Sequence, residues 1–435
     1  MANESLYQEY LANRYEAVVE SIKETLNGKE GDLRYYHKEM LTPKFSVTGM
    51  WESISALYTA VSADFVALDS ELPIKKRDSL GKTTGKIVKS GMELRLNEQQ
   101  MQDIDTMRAT NVNIKQILNK IFEDTAKCMR GENELMERAF LEELSTGVCL
   151  IDDSENVGIG ARIDCGYLDE NKFSPQILWS DTEHSKPLDD LEKIIDAATA
   201  KNRVLNYVYM DKKTWKLFRD SKQVREYMAG RTSKIYIAGN NSPDLLPKST
   251  LSELNATLKD DGTYGVEIVL IDRTIITEKN GVRTYVTPWK EGMVIFTESQ
   301  NVGDLVWANV AENNHRVEGV TYVDVENGIL LSKFSTNQPT LAEFTRIQGR
   351  IVPVVTGAEN IYQLDTTTTV TDDTENNKIT IAGTEHKKSD ILTAIAAVTG
   401  VTLPAGTSDA AVVQLFNSWS KKVQDAVVDA IVDTE

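Results

Sequence analysis

The sequence predicts an α+β protein. Three observations carry that reading: an apolar stripe of helical period from Asn111 to Ser145, short strands interleaved with helices through the middle of the chain, and a polar break at Thr366–Asn377 followed by further elements. At 435 residues the chain has the length for roughly two to four structural units, each able to bury a core.

The elements follow in order. Leu6, Tyr10, Leu11, Tyr15, Val18, Val19, Ile22 and Leu26 recur at three- and four-residue steps, which predicts helix over 1–27, stopped at Asn27-Gly28. A second apolar-rich stretch, 49–68, includes Met50, Trp51, Ile54, Leu57 and Phe65, with Pro73 beyond it. Residues 74–95 then carry seven basic and two acidic residues, Gly81, Gly85 and Gly91, and little core periodicity, the pattern of a solvated loop or long hairpin. Val112, Ile117, Leu118, Ile121, Phe122, Met129, Met136, Phe140 and Leu144 share one helical stripe ended by Gly147. At 1.5 Å per residue that helix is about 50 Å long, too long for the core of a compact domain. It reads as a coiled coil or as a spine that other layers cross.

Val148–Asp152 and Ala161–Cys165 read as a hairpin turning at 156–160. Beyond it come a helix at 188–200, a strand at 203–210, short helices at 212–220 and 222–228, and a strand at 266–272. A hairpin pairs 275–277 with 282–286 across Asn280-Gly281, and strands follow at 289–296 and 304–310. After the polar linker come a strand at 378–382 and helices at 390–398 and 409–432, the last with Leu415, Phe416 and Trp419 on its apolar side.

Composition narrows the function. A net charge of −18 and a pI near 4.9 argue against a protein built to grip phosphates. Cys128, Cys149 and Cys165 are three and widely spaced, which excludes a disulfide scaffold or a C-x-x-C site and reads as small core hydrophobes. His37, His184, His315 and His386 form no metal-ligand motif. The first ten residues lack the basic and apolar regions of a signal peptide, and no apolar run is long enough to span a bilayer, so a cytosol-like compartment is expected. Gly81-Lys-Thr-Thr-Gly85-Lys86-Ile87 has three residues between its glycines where a phosphate loop needs four, and Ile87 where that loop needs Ser or Thr. Asp152-Asp153, Asp189-Asp190 and Asp260-Asp261 read as turn or helix-start residues, and no serine sits in a nucleophile elbow. No catalytic constellation, cofactor or metal site is expected.

Element order then supports a resemblance. A helical N-terminal arm, a glycine-rich basic loop, a long helix, a hairpin, an α/β region and a terminal extended segment together resemble the major capsid protein of tailed bacteriophages, the Hong Kong 97-type fold. Thr287–Gly303, with Pro288-x-x-x-Gly292, and Leu305–Glu312 are similar to the late region of the phage lambda protein E branch. Asn337–Val355 resembles the end of that branch, with Ile351-Val352-Pro353 in place of its Leu-Pro-like close. The resemblance covers 1–362 and rests on element order more than on any residue.

The resemblance implies an N-arm at 1–48, the start of a P-domain at 49–71, an E-loop at 72–97 and a P-domain with spine helix and β hairpin at 98–180. It further implies an A-domain with connecting strands at 181–335 and a closing P-domain segment at 336–362. Residues 363–377 are then a linker, and 378–435 a small appended α/β domain whose acidic surplus keeps an outward-facing module in solution. The implied function is a shell protein that self-assembles as hexamers and pentamers into the icosahedral head around double-stranded DNA. Implied partners are further copies of the chain, scaffolding, portal and decoration proteins, and the packaged DNA in non-specific proximity; no membrane is involved. The implied location is the virion capsid, assembled in the bacterial cytoplasm. Two other readings stay open at this point: an encapsulin-like nanocompartment shell, and an enzyme whose active site is not local in sequence.

Within this reading Lys75, Lys76, Arg77, Lys82, Lys86, Lys89 and Arg95 are candidate inter-subunit contacts. Residues 74–95 have a net charge of +5 and residues 98–145 a net charge of −4, so the basic loop is expected over the acidic face of a neighbour's spine helix.

Overall fold

A computed structural model describes residues 3–11, 14–26, 34–56, 80–110, 113–151, 161–231, 248–279, 281–338, 340–369, 378–381, 384–399, 401, 412–413, 415–416, 419 and 421–431. The chain divides into two compact units, Met1–Phe173 with Trp179–Thr366, and Ser174–Leu178 with Thr367–Glu435.

The first unit begins with helices α1 (Gln8–Leu11), α2 (Tyr15–Leu26) and α3 (Tyr36–Met40), then strands β1 (Leu41–Phe45), β2 (Met50–Ala56), β3 (Leu80–Lys86) and β4 (Lys89–Leu96). Helices α4 (Glu98–Ala109) and α5 (Ile114–Thr146) follow, then β5 (Val148–Ile151), β6 (Ala161–Asp164) and β7 (Lys172–Phe173). An α/β run comes next: α6 (Pro187–Ala200), β8 (Tyr207–Asp211), α7 (Lys212–Asp220), α8 (Lys222–Arg231), α9 (Leu251–Asp260) and β9 (Glu267–Ile271). The unit closes with β10 (Ile275–Lys279), β11 (Val282–Val286), β12 (Met293–Thr297), β13 (Gly303–Ala308), α10 (Ala311–Asn314), β14 (Thr321–Asp324), β15 (Leu330–Thr336), β16 (Ala342–Val355) and β17 (Tyr362–Asp365).

The long helix forms where the stripe placed it. Asn113 caps α5 by accepting from the Lys115 amide at 3.0 Å, and Gly147 ends it in the left-handed region at φ 80°, its N–H bonded to the Glu143 carbonyl. A six-stranded sheet lies across it in the order β1-β13-β16-β15-β14, with β4 added to β16. Ile121, Phe140, Leu141 and Leu144 of α5 are fully buried or nearly so. Gly131 lets the helix approach the sheet, since a Cβ there would sit 2.3 Å from the Met92 sulfur of β4. The helix is therefore a spine crossed by its own sheet, not a coiled coil.

A second core lies between helices α6 to α9 and a five-stranded sheet ordered β7-β17-β12-β8-β9, with Trp179, Phe218, Leu254, Val294 and Phe296 at its centre. Asp211 caps α7 through the Lys213 and Thr214 amides, and Thr250 with Glu253 forms a capping box on α9. Three small antiparallel pairs stand apart from these sheets, β2 with β3, β5 with β6 and β10 with β11.

Several expectations shift. The strands expected from 203 and 289 begin at Tyr207 and Met293, and α9 and β14 to β17 were not anticipated. Of the apolar stretch at 49–68, Met50–Ala56 is a strand pairing with Leu80–Lys86, and 57–79 lies outside the described residues. The stops at Asn27-Gly28 and the turn at 156–160 also lie outside them. Gln363–Asp365, read as linker, are strand β17, bonded between β12 and β7.

In the second unit β18 (Lys378–Ile381) pairs with β19 (Thr384–Lys387), and α11 (Lys388–Thr399) packs Ile391 and Ile395 against Val412, Phe416 and Val427. The single helix expected over 409–432 is broken. Trp419 sits in a bend, and a separate helix runs from Lys421 to Asp429. The break is stable because the Gln424 amide donates to the carbonyls of Phe416 (3.0 Å) and Trp419 (3.1 Å), which a continuous helix would have bonded internally. Among the described residues no helix is long and apolar enough to cross a membrane.

Candidate assembly surface

The seven predicted contact residues divide into three groups. Lys75, Lys76 and Arg77 lie outside the described residues, and of Lys82 only the backbone is described, on β3. Lys86 ends β3 opposite Met50 and is exposed. Lys89 and Arg95 stand on β4, six residues apart and so on the same face of the strand. That face is exposed, whereas Ser90 and Met92 point the other way, to Glu132 and Gly131 of α5.

Pairing with β16 adds cations that the sequence reading missed. Lys89 is opposite Arg350, Glu93 opposite Arg346, and Arg95 opposite Phe344. The outward side of this two-strand ribbon therefore carries Lys89, Arg95, Arg346 and Arg350 against Glu93, which bonds Arg346 at 2.6 Å. The signal was present as period-two spacing in Phe344, Arg346, Gln348 and Arg350, but only the strand register brings it beside β4.

The acidic surface expected on the long helix is smaller than its seven carboxylates suggest. Four of its carboxylates are spent inside the subunit. Glu132 accepts from the Ser90 hydroxyl. Glu134 receives the Arg273 guanidinium at 2.8 Å to both oxygens and the Tyr35 hydroxyl at 3.0 Å. Glu137, fully buried, accepts the Tyr36 amide (2.9 Å), the His37 amide (3.0 Å) and His37 Nδ1 (2.7 Å), anchoring the start of α3. Glu143 accepts the Val355 amide at 2.9 Å and the Cys165 thiol, and burial pushes its carboxyl up to about 8. The helix thus looks acidic in sequence because it staples β4, α3, Arg273, Cys165 and β16 to itself. In the stretch 98–145 the exposed carboxylates are Glu98, Asp103 and Asp105 on α4 and Glu123 on α5, the last paired with Lys127 at 2.8 Å and Lys120 at 3.4 Å.

The N-terminal arm is held the same way. Asn3 bridges Ser335 beyond the end of β14, and buried Glu343 accepts the Ser5 hydroxyl and the Leu6 amide. Lys333, also buried, donates to the Ile121 carbonyl at 2.9 Å, and desolvation lowers its pKa. Cys128, Cys149 and Cys165 are free and buried, and burial raises each thiol pKa. Among the described residues no cluster of three or more His, Cys, Asp or Glu could hold a metal.

A basic two-strand ribbon and an arm closed on its own sheet are the surface features of the first unit, and the family match assigns them to a capsid-forming class. The chain matches the phage major capsid protein E family over residues 63–318, more than half its length, and belongs to that family. It is a capsid-forming structural protein of the virion, it assembles with copies of itself, and its α+β fold is the capsid fold expected from the resemblance. No curated protein matches it. Solved structures similar to it include a protein assigned as an Escherichia coli CFT073 prophage capsid protein, at 13% identity and a TM-score of 0.49 over 84% of this chain and 99% of that one. Others are a phage-related protein of Bordetella bronchiseptica RB50 (12%, TM-score 0.44, 84% and 98%) and the mature capsid of bacteriophage PhiM1 (9%, TM-score 0.41, 78% and 91%). At these scores the likeness is loose.

Proposed function

We propose that the chain forms the hexamers and pentamers of an icosahedral head around double-stranded DNA, assembled in the bacterial cytoplasm with scaffolding, portal and decoration proteins as partners. In this reading α5 is the spine helix, the β2–β3 pair and β4 belong to the E-loop, the β4–β16 sheet is the P-domain sheet, and the α6–β9 region is the A-domain. The domain divisions at 48, 97, 180 and 335 carry over; the E-loop is drawn from Met50 in place of 72, and the closing segment through Thr366 in place of 362. Residues 378–435 form an appended domain on the shell surface. The role is structural, with no catalytic step.

The observation that carries the reading is the family match together with the way the chain spends its charge. Its inner carboxylates stabilise one subunit, while Lys86 and Lys89 stand exposed on β3 and β4. Lys75, Lys76, Arg77, Lys82, Lys86, Lys89 and Arg95 are proposed to lie across a neighbouring subunit. Negative-stain microscopy of the purified chain tests the first claim: uniform large shells are expected, and a discrete small oligomer would refute it. Nucleic acid inside particles from infected cells distinguishes a phage head from a compartment filled with protein. Reversing Lys75, Lys76 and Arg77 to Glu is expected to leave the subunit folded and to impair assembly most at low salt, where screening is weakest. Normal shells at low salt from that variant would remove these residues from the interface.

A further inference from the structure

The last turn of α5 is crossed by a short strap, Asp164–Tyr167, fastened at three points. The Cys165 amide donates to the Gly147 carbonyl at 2.9 Å, the Cys165 thiol to the Glu143 carboxyl, and the Tyr167 hydroxyl to the Leu144 carbonyl at 3.1 Å. Gly166, at φ 68°, lets the strap turn, and the Tyr167 ring lies against Gly147, where a Cβ would sit 2.9 Å from it. The same carboxyl accepts the Val355 amide from the end of β16 at 2.9 Å. Helix, strap and central strand therefore meet on Glu143.

Nothing in this junction offsets a charge. Glu143 is fully buried, and its second oxygen has no partner among the described residues. Burial, the Cys165 thiol and the Val355 amide act on its carboxyl, and no cation is among them. Its titratable neighbours are Cys149 on β5, Cys165 at the end of β6 and Tyr167 in the strap. Burial raises the pKa of each, and a charge on Glu143 raises it further. Farther out, Glu142 and Arg138 of α5 act on Cys149, and Asp164 acts on Cys165. Strand β16 presents a backbone amide, and Lys290, whose amide donates to Ser145 Oγ, has its ammonium paired with Asp365 at 3.0 Å. A carboxylate buried without a cation is costly until water reaches it. Strand β16 is bonded to β4, β13 and β15, whereas the strap is fastened to α5 by three bonds, one of them to Glu143 itself. The strap is the weaker side of the junction.

We propose that Asp164–Tyr167 is a proton-operated strap, closed over the last turn of α5 while Glu143 is protonated and released when Glu143 ionises. The closed site pushes the carboxyl from its ordinary 4.5 up to about 8. The closed form is therefore fully favoured below the lower value. Opening gains about tenfold per pH unit between the two values and levels off above the upper one. Release reaches beyond the strap, because Ser145 in the same turn accepts the Lys290 amide at 3.1 Å and, through its carbonyl, the Gln363 side chain of β17 at 3.4 Å. The strap thus makes the joint between α5 and the β12–β17 sheet sensitive to pH. This is a property of the single subunit and stands independently of the capsid reading.

The native cysteines report the opening. Cys165 lies in the strap, and Cys128, also buried, stands on α5 about 20 Å from Glu143 at 1.5 Å per residue. The intact chain is treated with limiting N-ethylmaleimide across about two pH units between the two carboxyl values, and each cysteine is followed by peptide mass spectrometry. Each rate is divided by that of the same cysteine in the urea-unfolded chain at the same pH, which removes the thiolate dependence of the reagent. The relative rate at Cys165 is expected to rise about a hundredfold over that range, with Cys128 unchanged. In Glu143→Gln the Cys165 rate should no longer depend on pH. A flat Cys165 rate in the parent chain would overturn the proposal. So would a parallel rise at Cys128, which would make the opening global, or a rise that survives in Glu143→Gln. Should Glu143→Gln fail to fold, the comparison of Cys165 with Cys128 in the parent chain decides alone.

Discussion

Replacing Glu137 with alanine removes one acceptor from three donors at once. The carboxylate is fully buried and holds the amides of Tyr36 and His37 and the His37 ring nitrogen, all within 3.0 Å. Each buried donor left unbonded costs about 1–3 kcal/mol, and breaking a buried pair from one side costs about 3–5 kcal/mol in all. The donors lie within two adjacent residues and share any relaxation, so the lower combined figure applies and the expected loss is about 3–5 kcal/mol. Domains hold roughly 5–15 kcal/mol in reserve, so the variant subunit should sit near the edge of folding. Urea unfolding of unassembled subunits, followed by tryptophan fluorescence, measures the loss. Hydrogen exchange at the Tyr36 and His37 amides locates it. Adding His37→Ala to Glu137→Ala should cost less than the sum of the two, because the ring no longer needs a partner. A Glu137→Ala subunit within about 1 kcal/mol of the parent, no more than the least cost of a single stranded buried donor, would refute the idea that α5 anchors the arm through its carboxylates.

Ile121→Asp places an unpaired charge at a fully buried position of α5 and should abolish soluble folding, costing several kcal/mol; soluble, assembling protein from that variant would count against the spine assignment. Glu143 has its carboxyl pKa raised by burial from 4.5 to about 8, so the unfolded chain releases this proton first and stability falls as pH rises through that interval. Glu143→Gln should flatten this part of the melting-temperature profile, and an unchanged slope would show that Glu143 is not its source. Truncation should be made after Thr366, whose amide and hydroxyl both donate to the Gly292 carbonyl (3.0 and 2.8 Å) and so complete the first unit. Shells of unchanged diameter are expected if the remainder is an appended domain, and loss of assembly would place it in the lattice.

The elements most legible in the sequence were those whose local chemistry is complete. Helix α5 has an uninterrupted stripe, a capping Asn113 and a stop at Gly147, and the β10–β11 hairpin is announced in the sequence by the Asn280-Gly281 dipeptide. Strand β16 was hidden because the residues that make it central look wrong for a strand. Pro353 lies in its interior opposite Leu305, and Glu343, Thr345 and Gln348 are buried polar residues. Their partners, such as Ser5 and Leu6 for Glu343 and Glu312 for Gln348, are distant in sequence. The candidate surface was half legible for the same reason: Lys89 and Arg95 belong to a visible basic run, but Arg346 and Arg350 join them only through register. The acidic face of α5 misled because charge counting cannot distinguish a carboxylate facing water from one accepting a buried amide.

The closure of the arm sets an order of events during synthesis. Ser5 finds Glu343 across a separation of 338 residues. Chains elongate at about 5–20 residues per second, so Ser5 waits roughly 20–70 s for the strand that holds it. Through that interval Leu11, Tyr15 and Val19 have only part of their eventual packing. A chain that stops short of β16 therefore leaves its arm without the buried carboxylate that holds Ser5 and Leu6 in place.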